Sequence, residues 1–267
     1  MASASATTSP DVLDRRFADL RAAGRPALVV YVTAGHPTFE QSLELVRGLD
    51  EAGADVIEIG VPFSDPMADG EAIQASSQRA LEQGMTLDKT LDLVSRARTG
   101  APVVLFSYLN PLLASRDDLL ERAAESGVHG VLVTDLPVGA DPDLESWLGS
   151  GPLAFVRLVA PTTPRARMAE IARHGRGFVY LISRLGVTGE RGDIAVELPD
   201  TVAALRDVTP LPICVGFGIS RPDQAATVGR LADGVVVGSA VVRAADRDID
   251  AAFSLVRAMR TALDQTP

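Results

Sequence analysis

Eight short, mostly apolar runs recur along the chain, each five or six residues long. Runs of this length and composition are typical of strands that are buried on both faces, as in a parallel sheet. Segments with a helical spacing of apolar residues separate them. This alternation constrains the fold more than any other feature. The runs cover residues 27–32, 56–60, 102–107, 130–134, 154–159, 178–182, 212–217 and 234–238.

Eight alternations of strand and helix within 267 residues predict a single (β/α)8 TIM barrel. Extra helices are expected near the N-terminus and in the long interval after the second strand, around residues 72–83. A doubly wound sheet is the alternative, since the pattern alone does not prove that the sheet closes. Residues 1–10 are predicted to be a flexible extension, and residues 11–267 one domain without an internal linker.

The charge balance limits the partners that such a chain can bind. Asp and Glu number 35 against 25 Lys and Arg, which gives a net charge of −10. This balance argues against nucleic acid and anionic membranes as partners. The single cysteine cannot form an internal disulfide and favours a reducing cytoplasm, and no apolar run reaches the 18 residues of a membrane span.

Several kinds of catalytic chemistry are disfavoured by the residues that would have to perform them. The only lysine, Lys89, falls on the polar face of a predicted helix, so it is poorly placed for Schiff-base chemistry. His36, His129 and His174 each adjoin a glycine, lack metal-ligand spacing and are predicted to be loop or cap residues. Cys214 lies in an apolar run and is predicted to be an inert core thiol. Carboxylates, hydroxyls and backbone amides must then carry any catalysis.

The strongest candidate carboxylate is Glu58, between Ile57 and Ile59 in the second run. Strand alternation turns the isoleucines toward the helices and Glu58 into the barrel, where burial raises the pKa of a carboxyl group and suits it to proton donation. The alternative is a salt bridge to a buried arginine. Asp65 and Asp69 follow in a loop rich in proline and glycine, where aspartates also commonly cap turns.

Two further regions follow later strands. Tyr180 is predicted to point inward from the sixth strand, and glycines at 186, 189 and 192 make the next loop suited to act as a lid, with a plain polar linker as the alternative. Gly218 and Gly238 follow the last two strands, where barrels often bind phosphate, and Ser239 adds a hydroxyl at a helix N-terminus. These turns predict a phosphorylated small substrate, unless they are tight turns without a ligand.

Six segments, read together, resemble the α subunits of tryptophan synthase. They run in order through the chain as TAGHP (33–37), EIGVPFSDPMADG (58–70), TDLP (134–137), SRLGVTG (183–189), VGFGIS (215–220) and VVVGSA (235–240). The resemblance implies a phosphate-binding barrel that cleaves indole-3-glycerol phosphate to indole and glyceraldehyde 3-phosphate without a cofactor of its own. It also implies a β subunit that holds pyridoxal phosphate and receives the indole in an α2β2 assembly.

The resemblance also assigns roles to individual residues. Glu58 corresponds to the acid/base glutamate and Asp69 to a second catalytic carboxylate that stabilises positive charge on the indole nitrogen. The substrate-binding positions are Tyr180, the lid residue Thr188, Tyr31 and Tyr108. The phosphate-binding positions are Gly189, Gly218, Gly238 and Ser239.

The chain departs from the family pattern at three positions. Val30 and Glu71 stand where proline is usual, and Met67 stands where leucine is common. Glu71 adds a negative charge beside Asp69, in a loop that contacts the β subunit in the family, so we expect weaker coupling to a partner. A free-standing indole-3-glycerol phosphate lyase and a non-catalytic regulatory homologue are the alternatives, and the presence of both carboxylates disfavours the second.

Overall fold

Eight parallel strands form a closed barrel in chain order in the computed structural model, which describes residues 12–183, 197–216 and 218–265. Pairing between the first and last strands closes the ring, with Ala27 opposite Gly234 and Val30 opposite Val237. This confirms the predicted barrel and excludes the doubly wound sheet. The strands are β1 (Ala27–Thr33), β2 (Val56–Gly60), β3 (Val103–Ser107), β4 (Val128–Val133), β5 (Ala154–Val159), β6 (Val179–Ile182), β7 (Ile213–Gly216) and β8 (Gly234–Val237).

Helices surround the barrel and include the two predicted additions, α1 near the N-terminus and α3 in the long interval after β2. The helices of the described residues are α1 (Val12–Ala22), α2 (Phe39–Gly48), α3 (Glu71–Glu82), α4 (Leu87–Ala97), α5 (Leu109–Leu113), α6 (Leu119–Glu125), α7 (Pro142–Ser150), α8 (Arg165–Arg173), α9 (Leu198–Arg206), α10 (Pro222–Gly229), α11 (Ser239–Arg247) and α12 (Ile249–Asp264). The predicted N-terminal extension, residues 1–10, lies outside the described residues.

Polar residues at the starts of the helices explain where several of them begin. Thr38 caps α2 by accepting a hydrogen bond from the backbone N–H of Gln41, and Asp141 caps α7 ahead of Pro142. At α8 the cap position is occupied by Pro164, one residue after Thr163. The Thr163 hydroxyl instead accepts a hydrogen bond from the N–H of Ala160 at 3.2 Å.

Alternation along the strands divides the core into two layers. The outward side chains pack against the helices, and the inward ones fill the barrel together with Leu13, Phe17 and Leu20 of α1. The ring centroids of Phe17 and Phe178 lie 5.5 Å apart. Helix α1 therefore closes the barrel at the N-terminal ends of its strands, which leaves the opposite end as the open one.

The three histidines differ in their surroundings. His174 caps the C-terminus of α8 as expected, and His36 is buried in the loop after β1. His129 lies within β4, so its prediction as a loop or cap residue is wrong. A register shift between β3 and β4 brings the N–H of Val103 to the ring nitrogen Nδ1 of His129 at 3.2 Å.

The expectations for Cys214 and Lys89 are confirmed. Cys214 is a free thiol buried in β7, and Lys89 is exposed on α4. In the part of the chain that the structure describes, no helix is long and apolar enough to cross a membrane.

A buried ionic cluster ties the last helix to the closed end of the barrel. Asp55, directly before β2, accepts a hydrogen bond from the N–H of Leu28 at 2.8 Å and pairs with Arg260 of α12 at 3.0 Å. Both side chains are almost fully buried. Arg260 also donates to the carbonyl of Pro26 at 3.0 Å, so the cluster joins β1, β2 and α12.

Candidate active site

A cavity of about 150 Å³ opens at the C-terminal ends of the strands. Active sites of (β/α)8 enzymes lie at this end, and α1 already fills the other. The cavity contains two carboxylates, two tyrosines and the glycine turns that follow β7 and β8. Its described lining residues are Tyr31, Glu58, Asp69, Gly70, Ile73, Phe106, Tyr180, Gly218, Ile219, Ser220, Val236, Gly238, Ser239, Ala240 and Arg243.

Glu58 is fully buried on the inward face of β2, while Ile57 and Ile59 pack toward the helices as predicted. Its strand neighbours are Tyr31 on β1 and Val104 on β3. Neither carboxylate oxygen has a hydrogen-bond partner among the described residues. Burial raises the pKa of Glu58 to about 8, because the charged form loses its hydration. At neutral pH the group is therefore mostly protonated and can donate a proton.

A structural salt bridge does not explain Glu58 within the described residues. The buried arginines there, Arg157 and Arg260, pair with Glu145 at 2.8 Å and Asp55 at 3.0 Å. The pair of Arg157 and Glu145 lines a larger cavity of about 490 Å³ outside the barrel, between α7 and α8. Both carboxylates of its described lining, Glu145 and Glu170, pair with arginines, so that cavity offers no free carboxylate for proton transfer.

Asp69 reaches the same cavity from the loop between β2 and α3. Its backbone N–H donates to the carbonyl of Pro66 at 3.1 Å, and its own carbonyl accepts from Gln74 at 2.8 Å, so the end of the loop is held. Burial raises the pKa of Asp69 to about 6, and a hydrogen bond from Tyr108 partly offsets that rise. Asp69 is thus mostly ionised where Glu58 is mostly protonated. Two carboxyl groups held in opposite protonation states are suited to different roles.

Asp65, the other aspartate of this loop, is exposed. Its carboxylate accepts a hydrogen bond from the Ser64 hydroxyl at 2.6 Å. It is not among the described residues that line the cavity. The turn-forming interpretation therefore fits Asp65, whereas Asp69 faces the cavity.

Tyr108 contacts the loop between β2 and α3 that carries Asp69. Its hydroxyl accepts a hydrogen bond from the N–H of Ala68 at 2.8 Å, and its ring centroid lies 5.1 Å from that of Phe63. The described cavity lining does not include Tyr108. The resemblance assigns Tyr108 to the substrate pocket, and in the structure its hydroxyl contacts the loop that carries Asp69.

Tyr31 and Tyr180 project into the barrel from β1 and β6, as strand alternation predicts for Tyr180. Each ring occupies space that a side chain on a nearby strand would need. A Cβ atom on Gly60 would collide with the Tyr31 hydroxyl, and one on Gly216 with the Tyr180 hydroxyl. Burial raises the pKa of both phenols, so they are neutral walls of the cavity.

Backbone turns after β7 and β8 form another side of the cavity. Gly218 has a φ of +81°, a conformation that strongly favours glycine, and Gly238 is the cap residue from which α11 begins at Ser239. The first N–H groups of a helix have no partner within the helix and suit an anion. Thr188 and Gly189, also assigned by resemblance, lie outside the described residues.

Comparison with known proteins decides the family. Residues 17–265 match the family model of the tryptophan synthase alpha chain. The chain belongs to this family. Tryptophan synthase alpha chains of Desulfatibacillum aliphaticivorans and Caulobacter vibrioides are each 46% identical to it, over 88% and 87% of this chain and 89% and 86% of theirs.

Solved structures of the family have the same fold. A Mycobacterium tuberculosis tryptophan synthase chain superposes with a TM-score of 0.87 at 33% identity, over 96% of this chain and 99% of that one. Tryptophan synthase subunit alpha of Legionella pneumophila gives a TM-score of 0.84 at 34% identity, over 96% and 99% of the two chains.

The structure gives a physical reason why the chain tolerates Glu71. Glu71 is the first residue of α3, directly after the cap residue Gly70. Proline is favoured at this position because its fixed φ suits a helix start, and an acidic residue is favoured there by the helix dipole. The side chain is exposed, so its charge remains solvated.

Three residues that line the cavity lie outside both the predicted site residues and the six family segments. Phe106 alternates with Val104 on β3, so strand periodicity could have identified it. Arg243 follows Ser239 by four residues in a helix, which places both on one face. Ile73 lies in the first turn of α3, and no signal in the sequence distinguished it. Among the described residues, no group of three His, Cys, Asp or Glu side chains could hold a metal ion.

Proposed function

We propose that this chain is the α subunit of a tryptophan synthase and cleaves indole-3-glycerol phosphate to indole and glyceraldehyde 3-phosphate in L-tryptophan biosynthesis. The observation that carries the proposal is a fully buried, unpartnered Glu58 sharing one cavity with a carboxylate of lower pKa, Asp69. A buried carboxyl group without a partner costs stability, so its presence at a barrel mouth favours a catalytic role.

Glu58 handles both protons of the reaction in this proposal. The protonated carboxyl group donates to C3 of the indole, which places positive charge on the ring nitrogen. The bond from C3 to the glycerol chain then breaks, and its electron pair returns to the ring to give neutral indole. The Glu58 carboxylate takes the proton from the adjacent hydroxyl, which becomes the aldehyde, so the group returns to its starting state.

Asp69 stabilises the charge that develops during this sequence. Its carboxylate accepts a hydrogen bond from the indole N–H, and its negative charge opposes the positive charge on the ring. Such preorganised groups stabilise a transition state more than a ground state. The role requires an ionised Asp69, and its pKa of about 6 provides one at neutral pH.

The remaining residues hold the substrate. Tyr31 and Tyr180 form walls of the cavity around the indole, and Tyr108 positions the loop that presents Asp69. The phosphate binds at the turns of Gly218 and Gly238 and at Ser239. Thr188 and Gly189 are proposed from the family motif alone, as a lid residue and a further phosphate contact.

The partner proposed for this chain is a β subunit that carries pyridoxal phosphate, in an α2β2 assembly in the cytoplasm, while the α chain itself uses no cofactor. The loop after β2 offers a docking feature, since Met67 at its tip is 93% exposed. Exposed large apolar side chains commonly mark interaction surfaces. Glu71 lies four residues away, and its charge would weaken binding to a partner that lacks a facing basic group.

The test is an indole-release assay on the purified chain, alone and with a tryptophan synthase β subunit. Glu58→Gln and Asp69→Asn should each lower kcat by about 10²- to 10⁴-fold, whereas Glu44→Gln, on the exposed face of α2, should behave as wild type. Wild-type protein that releases no indole under either condition contradicts the proposed activity. Full release without the β subunit favours the free-standing lyase.

Glu71→Pro tests the partner separately. The substitution should increase stimulation by a β subunit and leave the basal rate near that of wild type. Equal stimulation of both proteins would show that Glu71 is a neutral surface difference.

A further inference from the structure

We propose that Arg243 is a specificity-determining residue that supplies the positive charge for the phosphate end of the substrate. The inference rests on the proposed function for the identity of that substrate. It adds a side chain to an anion site otherwise formed by backbone turns and Ser239. Arg243 is the only lysine or arginine among the described residues that line the cavity.

The position of Arg243 on α11 directs its side chain toward the anion site. Residues four apart share one helix face, so Arg243 lies one turn behind Ser239, about 6 Å along the axis. Helical side chains lean toward the N-terminus of their helix. This direction agrees with the place of Arg243 beside Ser239 in the cavity lining.

The acidic residue best placed to neutralise Arg243 is already engaged. Asp246, three residues further along α11, pairs with Arg79 of α3, and its carboxylate also faces His36 at 3.8 Å. In the described part of the chain, Arg243 has no ion pair or hydrogen bond with another side chain. Its charge remains available for a ligand.

The negative charge of a phosphate ligand explains why the cavity needs a positively charged side chain. A phosphate monoester carries close to two negative charges at neutral pH, whereas a helix N-terminus supplies the equivalent of only about half a positive charge. The same cavity contains the ionised Asp69, and the whole chain has a net charge of −10. Without Arg243, the described cavity would present a net negative environment to a dianion.

The matched control is Arg247, one turn further along the same helix. It is also exposed, and the described cavity lining does not include it. Arg243→Met and Arg247→Met remove the same charge and keep a similar aliphatic stem. They differ in distance from Ser239 by about 6 Å along the helix axis.

The experiment measures the binding of glycerol 3-phosphate and of indole to each variant by calorimetry, followed by steady-state cleavage of indole-3-glycerol phosphate. Arg243→Met should weaken glycerol 3-phosphate about tenfold, raise KM by a similar factor with a smaller effect on kcat, and reduce the dependence of Kd on salt. Arg247→Met should change that Kd less than twofold. Arg243→Lys should recover most of the loss, and indole affinity should be the same in all variants.

Equal affinity of wild type and Arg243→Met for glycerol 3-phosphate, or equal losses for Arg243→Met and Arg247→Met, would overturn the inference. If Arg243→Met does not fold, Arg243→Gln can be compared with wild type in the same way, because glutamine also lacks the charge and its polar amide suits an exposed helix surface. Binding does not depend on turnover, so this result is separate from a failure of the proposed function, which would appear as an inactive wild-type chain.

Discussion

At neutral and alkaline pH, replacing Glu58 with glutamine should make the protein more stable while removing its activity. The folded-state pKa of Glu58 is about 8, against 4.5 for an unperturbed glutamate. Between these two pH values the folded protein holds a proton that the unfolded chain has lost. Linkage then requires that the free energy of unfolding falls as pH rises through this window and levels off above it.

The magnitude follows from the width of the window. At pH 7 the wild-type chain lies 2.5 pH units above the unfolded pKa, which corresponds to a loss of about 3 kcal/mol relative to acid conditions. Glutamine has the same shape and does not titrate, so the variant avoids this loss. A buried amide and a buried carboxylic acid are both polar groups without described partners, so their other burial costs largely cancel.

Urea denaturation of wild type and Glu58→Gln at pH 5 and pH 8 measures the effect. The two proteins should have similar free energies of unfolding at pH 5, and the variant should be more stable by about 2–4 kcal/mol at pH 8. Glu44→Gln, at an exposed position, should show no such divergence. A difference between wild type and Glu58→Gln that stays the same at both pH values would refute the reasoning, because Glu58 would then be charged in the folded state.

Three other predictions concern the remaining ionisable groups. The pH profile of kcat/KM should be bell-shaped, rising through pH 6 as Asp69 ionises and falling through pH 8 as Glu58 loses its proton. A flat profile over this range would contradict both assignments. Tyr108→Phe removes the hydrogen bond that lowers the pKa of Asp69, so the acidic limb of the kcat/KM profile should move to higher pH. An acidic limb at the same pH in both proteins would show that Tyr108 does not have this positioning role. Asp55→Ala removes the buried partner of Arg260, which keeps the more exposed Asp264 as an ion-pair partner at 2.7 Å, and should cost about 3 kcal/mol in urea denaturation. A cost below about 1 kcal/mol would show that Asp264 or water compensates for the lost carboxylate.

The positions of the strands, and the side chains that point into the barrel, could be predicted from the sequence. The strands appear as apolar runs, and side chains along a strand alternate between its two faces. Glu58 and Tyr180 each lie between apolar neighbours that pack against the helices. The side chain between such neighbours must therefore face the interior of the barrel. The same rule applied to Phe106 would have placed it in the cavity. The fold was predictable for the same reason, since eight buried runs allow few sheet arrangements.

Features that depend on contacts between distant segments could not be predicted. His129 looked like a loop residue because glycine follows it, but its ring occupies a gap in the ladder between β3 and β4 that no local pattern reveals. Tyr108 was expected in the substrate pocket, and its contact with Ala68 depends on how a loop 40 residues earlier folds over it. Residues 184–196, which include the predicted lid residue Thr188, lie outside the described residues.

The buried cluster at the closed end of the barrel has a consequence for protein synthesis. Asp55 and its partner Arg260 are 205 residues apart, and at about 5–20 residues per second the ribosome needs roughly 10–40 s to make the chain between them. For most of that interval β8, Gly234–Val237, has not been made and cannot pair with β1, so the nascent sheet has an open edge of the kind that recruits other strands. The barrel therefore cannot close until β8 has been synthesised, and the sheet keeps its open edge for most of the time that the ribosome needs to make the chain.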